Sequence, residues 1–134
     1  MFDDTSKNWA RDEPRLLSDW TARPFLLQWC SSIGNQRVLD LGCGEGYFTR
    51  QLARSADEPA GHLEGIDISA GMIELAEANE KQNPLGISYS VGCATDYSPD
   101  LEVYDLITAV FVYNYTTVEQ MHQSMQKVHD HLTP

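Results

Sequence analysis

Three glycines on alternate positions, Gly42, Gly44 and Gly46, follow one carboxylate, Asp40, and enclose another, Glu45. A third carboxylate, Asp67, closes the second apolar run, Leu63-Glu-Gly-Ile-Asp-Ile68. Glycines let a backbone pass close under a ligand, where a Cβ would intrude. An acid roughly 20 residues further on can accept from the two hydroxyls of a ribose. The chemistry is that of a nucleoside-binding βαβ unit. A dinucleotide fingerprint, G-x-G-x-x-G, needs its third glycine one position later, and position 47 is Tyr. No G-x-x-x-x-G-K-[ST] run is present, which excludes a Walker-type triphosphate loop. Acids in the loop suit a cationic ligand better than a pyrophosphate.

Positioning such a loop takes a buried strand before it and a helix after it. The pattern predicts strands over Arg37–Leu41, His62–Ile68, Ile87–Val91 and Leu106–Val112. In the third of these Ile87, Tyr89 and Val91 alternate; the fourth is nearly all apolar, as in a parallel strand covered on both faces. A helix is expected from Pro24 to about Ser32, with Gly34 as its stop. Another, Tyr47–Ser55, places Phe48 and Leu52 on one face. Ser69 can cap a third, which carries Met72, Ile73 and Leu75 and ends before Asn83-Pro84. The last begins at a capping box from Thr116-Thr117 to Gln120, with Val118, Met121, Met125, Val128 and Leu132 as its buried stripe. Residues 1–22 read as polar and irregular, with Trp9 and Trp20 interspersed.

Val-Leu-Asp-Leu-Gly-Cys-Gly-Glu-Gly (38–46) resembles motif I of the class I S-adenosylmethionine-dependent methyltransferases. Gly-Ile-Asp-Ile-Ser (65–69) resembles the family's next, acidic motif, and Tyr-Asp-Leu-Ile-Thr-Ala-Val-Phe (104–111) its fourth strand. The likeness covers roughly residues 36–134. It implies an α/β fold, a doubly wound and mostly parallel sheet of Rossmann-like type, with S-adenosylmethionine as cofactor. Residues 1–34 would form a helical or lid segment, in which Trp9 or Trp20 is a lid candidate, and 35–134 the cofactor domain. The family's sheet runs 3-2-1-4-5-7-6, and only its N-terminal part, 3-2-1-4, is found in the chain. That leaves strand four as an uncovered apolar edge. The expectation is a piece of a longer protein that pairs through strand four with another chain or is poorly soluble, and turns over little substrate alone.

The same resemblance assigns residues. Gly42, Gly44 and Gly46 pass under the methionine part and ribose of the cofactor, and Asp40 helps hold its ammonium end, directly or through water. Asp67 accepts both ribose hydroxyls, Ile68 packs on the adenine, and Val110 joins the cofactor set at the end of strand four. The family often has an acid after strand three to accept from the adenine amino group; Cys93 holds that place here. A thiol accepts weakly, so either Asp96 reaches across or the backbone amide of Ala94 reads the adenine edge. Cys93 itself reads first as a small buried hydrophobe. Tyr113 and Tyr115 are candidates for the acceptor pocket, and no residue is named as catalytic base.

Composition restricts partners. The formal net charge of −11, with only nine Lys plus Arg, repels phosphate backbones and disfavours nucleic acid. No apolar run approaches the ~20 residues of a membrane span. Cys30, Cys43 and Cys93 are too widely spaced for a C-x-x-C metal site or a disulfide framework, which fits a reduced cytoplasmic setting. His129 and His131 point to nearly opposite faces of a helix and cannot share a metal, so no metal is expected. The leading expectation is methyl transfer to a small-molecule acceptor. The alternative is a non-catalytic S-adenosylmethionine-binding regulatory or partner module, and a nicotinamide oxidoreductase is disfavoured by the third glycine.

Overall fold

The computed structural model describes residues 11–134. Its elements in chain order are α1 (Leu17–Trp20), α2 (Ala22–Trp29), β1 (Arg37–Leu41), α3 (Tyr47–Ser55), β2 (His62–Asp67), α4 (Ala70–Gln82), β3 (Ile87–Val91), β4 (Leu106–Ala109) and α5 (Val118–His131). A 3₁₀ turn, Tyr113–Tyr115, separates the last two. The strands form one parallel sheet in the order β3-β2-β1-β4, as the resemblance implied. Asp40 of β1 stands beside Gly65 on one side and Thr108 on the other. The chain progresses from β1 outward to β3, then crosses back to put β4 on the opposite side of β1. The carboxyl ends of β1 and β4 therefore flank a topological switch point, where such sheets bind ligands.

Each face of the sheet buries a separate cluster. On one, Val38, Leu63 and Ile87 pack against Phe48 and Leu52 of α3 and Ile73 and Ala76 of α4. On the other, Leu39, Leu41 and Ile66 meet Tyr97 and Tyr104, with Val128 of α5 packed against them. Both caps foreseen in the sequence form. Ser69 Oγ accepts from Met72 N at 3.3 Å, and Thr117 and Gln120 bond reciprocally across the start of α5.

Several boundaries differ from the sequence pattern. The helix expected from Pro24 to about Ser32 is α2, which begins at Ala22 and ends at Trp29, and the single-turn helix α1 precedes it within the stretch read as irregular. It is organised by Asp19, whose carboxylate accepts from the amides of Arg15 and Leu16 and pairs with Arg11 and Arg23. β2 stops at Asp67, so Ile68 lies beyond the strand. β4 stops at Ala109 rather than Val112, because Phe111 takes a left-handed φ of 60° that no strand continues. The buried stripe expected on α5 is largely absent: Val118 is 69% exposed and Met125 48%, while Ser124 is the buried residue. Of the expected stripe, Val128 packs against the Tyr97 and Tyr104 cluster. β4 pairs with β1 alone along Leu106–Ala109, and all four of its residues are half-buried. At its start, Tyr104 N donates to His131 O and Thr133 N to Tyr104 O, so the end of the chain lies along the outer side there. The β3-to-β4 crossover carries no helix. No helix among the described residues is long and apolar enough to cross a membrane.

Candidate functional site

The glycine loop turns sharply between β1 and α3, and it is stitched to β2. Gly42 N and Cys43 N both donate to Ile66 O, at 2.7 and 3.0 Å. Gly42 (φ 72°), Gly44 (φ 58°) and Gly46 (φ 85°) all have left-handed backbones. Their surroundings differ. A Cβ on Gly42 would lie 2.4 Å from Val112 Cγ2, and one on Gly46 2.5 Å from the Tyr89 hydroxyl. A Cβ on Gly44 would meet nothing within 4 Å. Packing explains the first and third glycines, whereas the second opens onto empty space.

That space is a cavity of 380 Å³ over the ends of β1, β2 and β4, lined among others by Gly44, Asp67, Ile68, Cys93, Phe111 and Tyr115. A smaller cavity of 110 Å³ adjoins it, sharing Gly42, Gly44 and Met72, and adds Arg11, Arg23, Asp40 and Val110. Every cofactor residue named from the sequence except Gly46 lines one cavity or the other. Gly46 instead opens α3, packed against Tyr89.

Asp67 is held from two sides. Its Oδ2 accepts from Gly44 N at 2.8 Å and its Oδ1 from Ser69 N at 2.9 Å, which ties the acid to the loop it faces. Asp40 is buried to 1% exposure between Thr49 Oγ1 (2.6 Å) and Thr108 Oγ1 (2.8 Å). Burial pushes its carboxyl up to about 6, and the two threonine bonds offset this only in part. Glu45 does not offer its charge to a ligand, contrary to the sequence reading of an acidic loop. Its carboxylate is bound by Arg50 Nη2 at 2.8 Å, and Arg50 is fully buried beneath the loop.

Of the residues after β3, Cys93, Ala94 and Thr95 border the cavity. Asp96 is exposed and does not line it. Cys93 is half-buried rather than buried, because a turn closed by Asp96 N donating to Cys93 O directs it to the cavity. Its Sγ lies 3.2 Å from Thr95 Oγ1, and that contact lowers the thiol's pKa. Of the two tyrosines, Tyr115 lines the cavity; the Tyr113 hydroxyl pairs with Ser124 Oγ at 3.2 Å instead. Trp20 is 68% exposed and lines neither cavity; Trp9 lies outside the described residues.

Sequence reasoning missed Arg11 and Arg23. Both pair with Asp19, a buried acid. Burial alone would raise the Asp19 pKa, but the Leu16 and Arg15 amides with the two arginines hold it below the usual value. Arg11 lies over the Tyr47 ring at 4.2 Å, and its carbonyl accepts from Arg50 Nη2 at 2.9 Å. Arg23 lies over the Phe111 ring at 5.3 Å. Its Nε is buried and has no hydrogen-bond partner among the described residues. Arg11 and Arg23 both line the smaller cavity. The only sequence signal was the i, i+4 spacing of Asp19 and Arg23.

Comparison with known proteins agrees with the geometry. Residues 38–134 match the model of the methyltransferase domain family. Over 72 residues the chain is 40% identical to an uncharacterized methyltransferase of Emericella nidulans, covering 54% of this chain and 23% of that protein. Over 80 residues it is 31% identical to the malonyl-acyl-carrier protein O-methyltransferase of Halalkalibacterium halodurans, covering 58% of this chain and 29% of that one. The crystal structure of an S-adenosylmethionine-dependent methyltransferase from Mesorhizobium loti superposes with a TM-score of 0.70 at 26% identity, over 87% of this chain and 51% of that one. The chain thus spans less than a third of the two relatives and about half of the solved structure. The match over most of the chain, with the same sheet order and a cavity at the switch point, establishes that the chain belongs to the class I S-adenosylmethionine-dependent methyltransferase family.

Proposed function

We propose that the chain binds S-adenosylmethionine across the two adjoining cavities and serves methyl transfer to a small-molecule acceptor. The observation that carries this is Gly44, a left-handed glycine with open space where its Cβ would stand, facing Asp67 between the two cavities. When bound, the cofactor supplies a methyl group already activated on a sulfonium. The protein's work is then mainly to hold donor and acceptor in line. Asp67, oriented by the amides of Gly44 and Ser69, keeps lone pairs for the ribose hydroxyls. Ile68, 62% exposed at the rim, offers an apolar face to the adenine, and Ala94 and Thr95 offer its edge an amide and a hydroxyl. In the smaller cavity Arg23 serves the carboxylate end and Asp40 the ammonium end. Phe111, Tyr115, Thr116 and Gln120 are left for the acceptor. Among the described residues Asp67 is the one charged residue lining the larger cavity, which supports an uncharged organic acceptor rather than a phosphate backbone.

Titration calorimetry with S-adenosylmethionine and NAD tests the ligand; tighter binding of NAD would overturn it. Asp67→Ala is expected to weaken cofactor binding by about 1.5–3 kcal/mol. Asp67→Asn should do nearly as much harm, because both carboxylate oxygens accept backbone N–H groups and an amide must turn its NH₂ toward one of them. Unchanged affinity in Asp67→Ala would remove the ribose role. Arg23→Gln should weaken S-adenosylmethionine by roughly tenfold, as loss of a hydrogen bond to a charged group does, while leaving decarboxylated S-adenosylmethionine almost unaffected. Equal losses for both ligands would show that Arg23 acts on the fold instead. The second reading is a binding module without turnover, and among the described residues no His, Lys or Glu lines the larger cavity. Release of S-adenosylhomocysteine in the presence of pooled small-molecule acceptors separates the two.

A further inference from the structure

A second group of chemically able side chains lies at the opposite end of β2 from Asp67. His62 opens the strand, and Glu64, two residues on, projects from the same face. Asp100 arrives from the β3-to-β4 crossover. One ligand-capable atom from each lies within 4.8 Å of the others. His62 Nε2 is 3.5 Å from Glu64 Oε2 and 3.5 Å from Asp100 Oδ2. These separations exceed the 2.7–3.2 Å range of an N–H···O bond. They are close to the edge of about 3.3–3.4 Å that a tetrahedron of imidazole nitrogen and carboxylate oxygen makes around a metal with bonds near 2.0–2.1 Å. His62 Nε2 is itself buried and has no hydrogen-bond partner among the described residues, so the imidazole is aimed at two carboxylates at ion-pair distance without a hydrogen bond to either.

The surroundings are those of a supported ligand set. Glu64 is fully buried, and its carboxylate is fixed by the Tyr104 hydroxyl and by Asp100 N at 3.0 and 3.1 Å. Ser88 Oγ donates to Asp100 Oδ2 at 2.8 Å, as an outer partner that orients a ligand. The Asp100 side chain is 45% exposed, which leaves an entry path and a position for water. Two carboxylates balance a divalent charge, and the imidazole selects a first-row transition ion over Mg²⁺ or Ca²⁺.

We propose that His62, Glu64 and Asp100 form a Zn²⁺ site at the amino-terminal edge of the sheet, remote from the cofactor cavity. The site joins β2 to the crossover whose other end carries Cys93, Ala94 and Thr95, so the ion pins the segment that borders the cavity. It was not legible in the sequence, where the three ligands are interrupted by a whole α/β unit and no metal was expected.

The full chain, freed of any tag and of metal by chelation, is titrated with Zn²⁺ against a chromophoric chelator, and separately with Co²⁺. A single saturable site is expected, with a Tm several degrees higher on Zn²⁺ addition and tetrahedral d–d absorption with Co²⁺, unaffected by excess Mg²⁺. His62→Gln and Asp100→Asn should each weaken Zn²⁺ by at least about tenfold and abolish the Tm shift. Should His62→Gln fail to fold, Asp100→Asn decides, since its side chain is 45% exposed and the isosteric change leaves the fold in place. Equal Zn²⁺ affinity in wild type and Asp100→Asn would assign the binding to the acidic surface at large and overturn the site. Absence of saturable binding in the wild type would overturn it as well, and leave His62 as an ion-pair partner.

Discussion

Arg50→Ala is expected to lower folding stability by about 3–5 kcal/mol, the cost of stranding a buried charge. The Arg50 side chain is 1% exposed, and that of Glu45 8%. Arg50 Nη2 meets Glu45 Oε2 at 2.8 Å, Nη1 donates to the Glu45 carbonyl at 2.6 Å, and Nη2 also donates to the Arg11 carbonyl at 2.9 Å. One side chain therefore holds the glycine loop from beneath and ties the N-terminal segment over it. Truncation leaves a desolvated carboxylate and two unmet carbonyls. Urea unfolding with an unchanged m-value is the measurement. Adding Glu45→Gln to Arg50→Ala should recover part of the loss, because the stranded charge is gone. A loss below about 1 kcal/mol, the range of an exposed ion pair, would show that the loop relaxes and that Arg50 does not fix it.

The pH dependence of stability should carry a component from Asp40 that runs against the usual direction. Its carboxyl sits at about 6 in the folded protein against 3.8 for the ordinary side chain, chiefly through burial. Between those values the native state binds its proton more tightly than the unfolded chain. Stability from this group is therefore present at low pH and lost as pH rises from 3.8 to about 6. At 1.36 kcal/mol per unit the loss is roughly 3 kcal/mol. Asp19 and Asp105 act oppositely. Asp105, held down to about 2 by its bonds to Arg37, loses stability as pH falls. The wild-type curve alone thus does not isolate Asp40. The difference between wild type and Asp40→Asn does: the variant should gain relative to wild type from about pH 4 to pH 7. Parallel curves for the two proteins would mean that Asp40 keeps an ordinary pKa. Cofactor binding should push the other way, since an ammonium near Asp40 favours its charged form.

The boundaries of β1, β3 and α3, the Ser69 and Thr117 caps and the glycine loop were legible because each is a local matter. They rest on hydrophobic period, on side chains that bond backbone three residues away, and on residues with no Cβ. The parallel order 3-2-1-4 came from resemblance, and it places Asp67 beside the loop. What the sequence could not specify were the contacts between distant segments. β4 ends early because Phe111 turns left-handed beneath Arg23, and Val118 and Met125 of the expected α5 stripe are exposed. Glu45 looked available for a cation, yet Arg50 claims it from the next turn of helix. Arg11 and Arg23 reach the smaller cavity only because Asp19 gathers them, and His62, Glu64 and Asp100 meet only because β2 and the crossover lie side by side. A charge shows in the chain as a residue type; whether it is neutralised, orphaned or aimed into a cavity depends on desolvation and on partners that folding alone brings within a few ångströms.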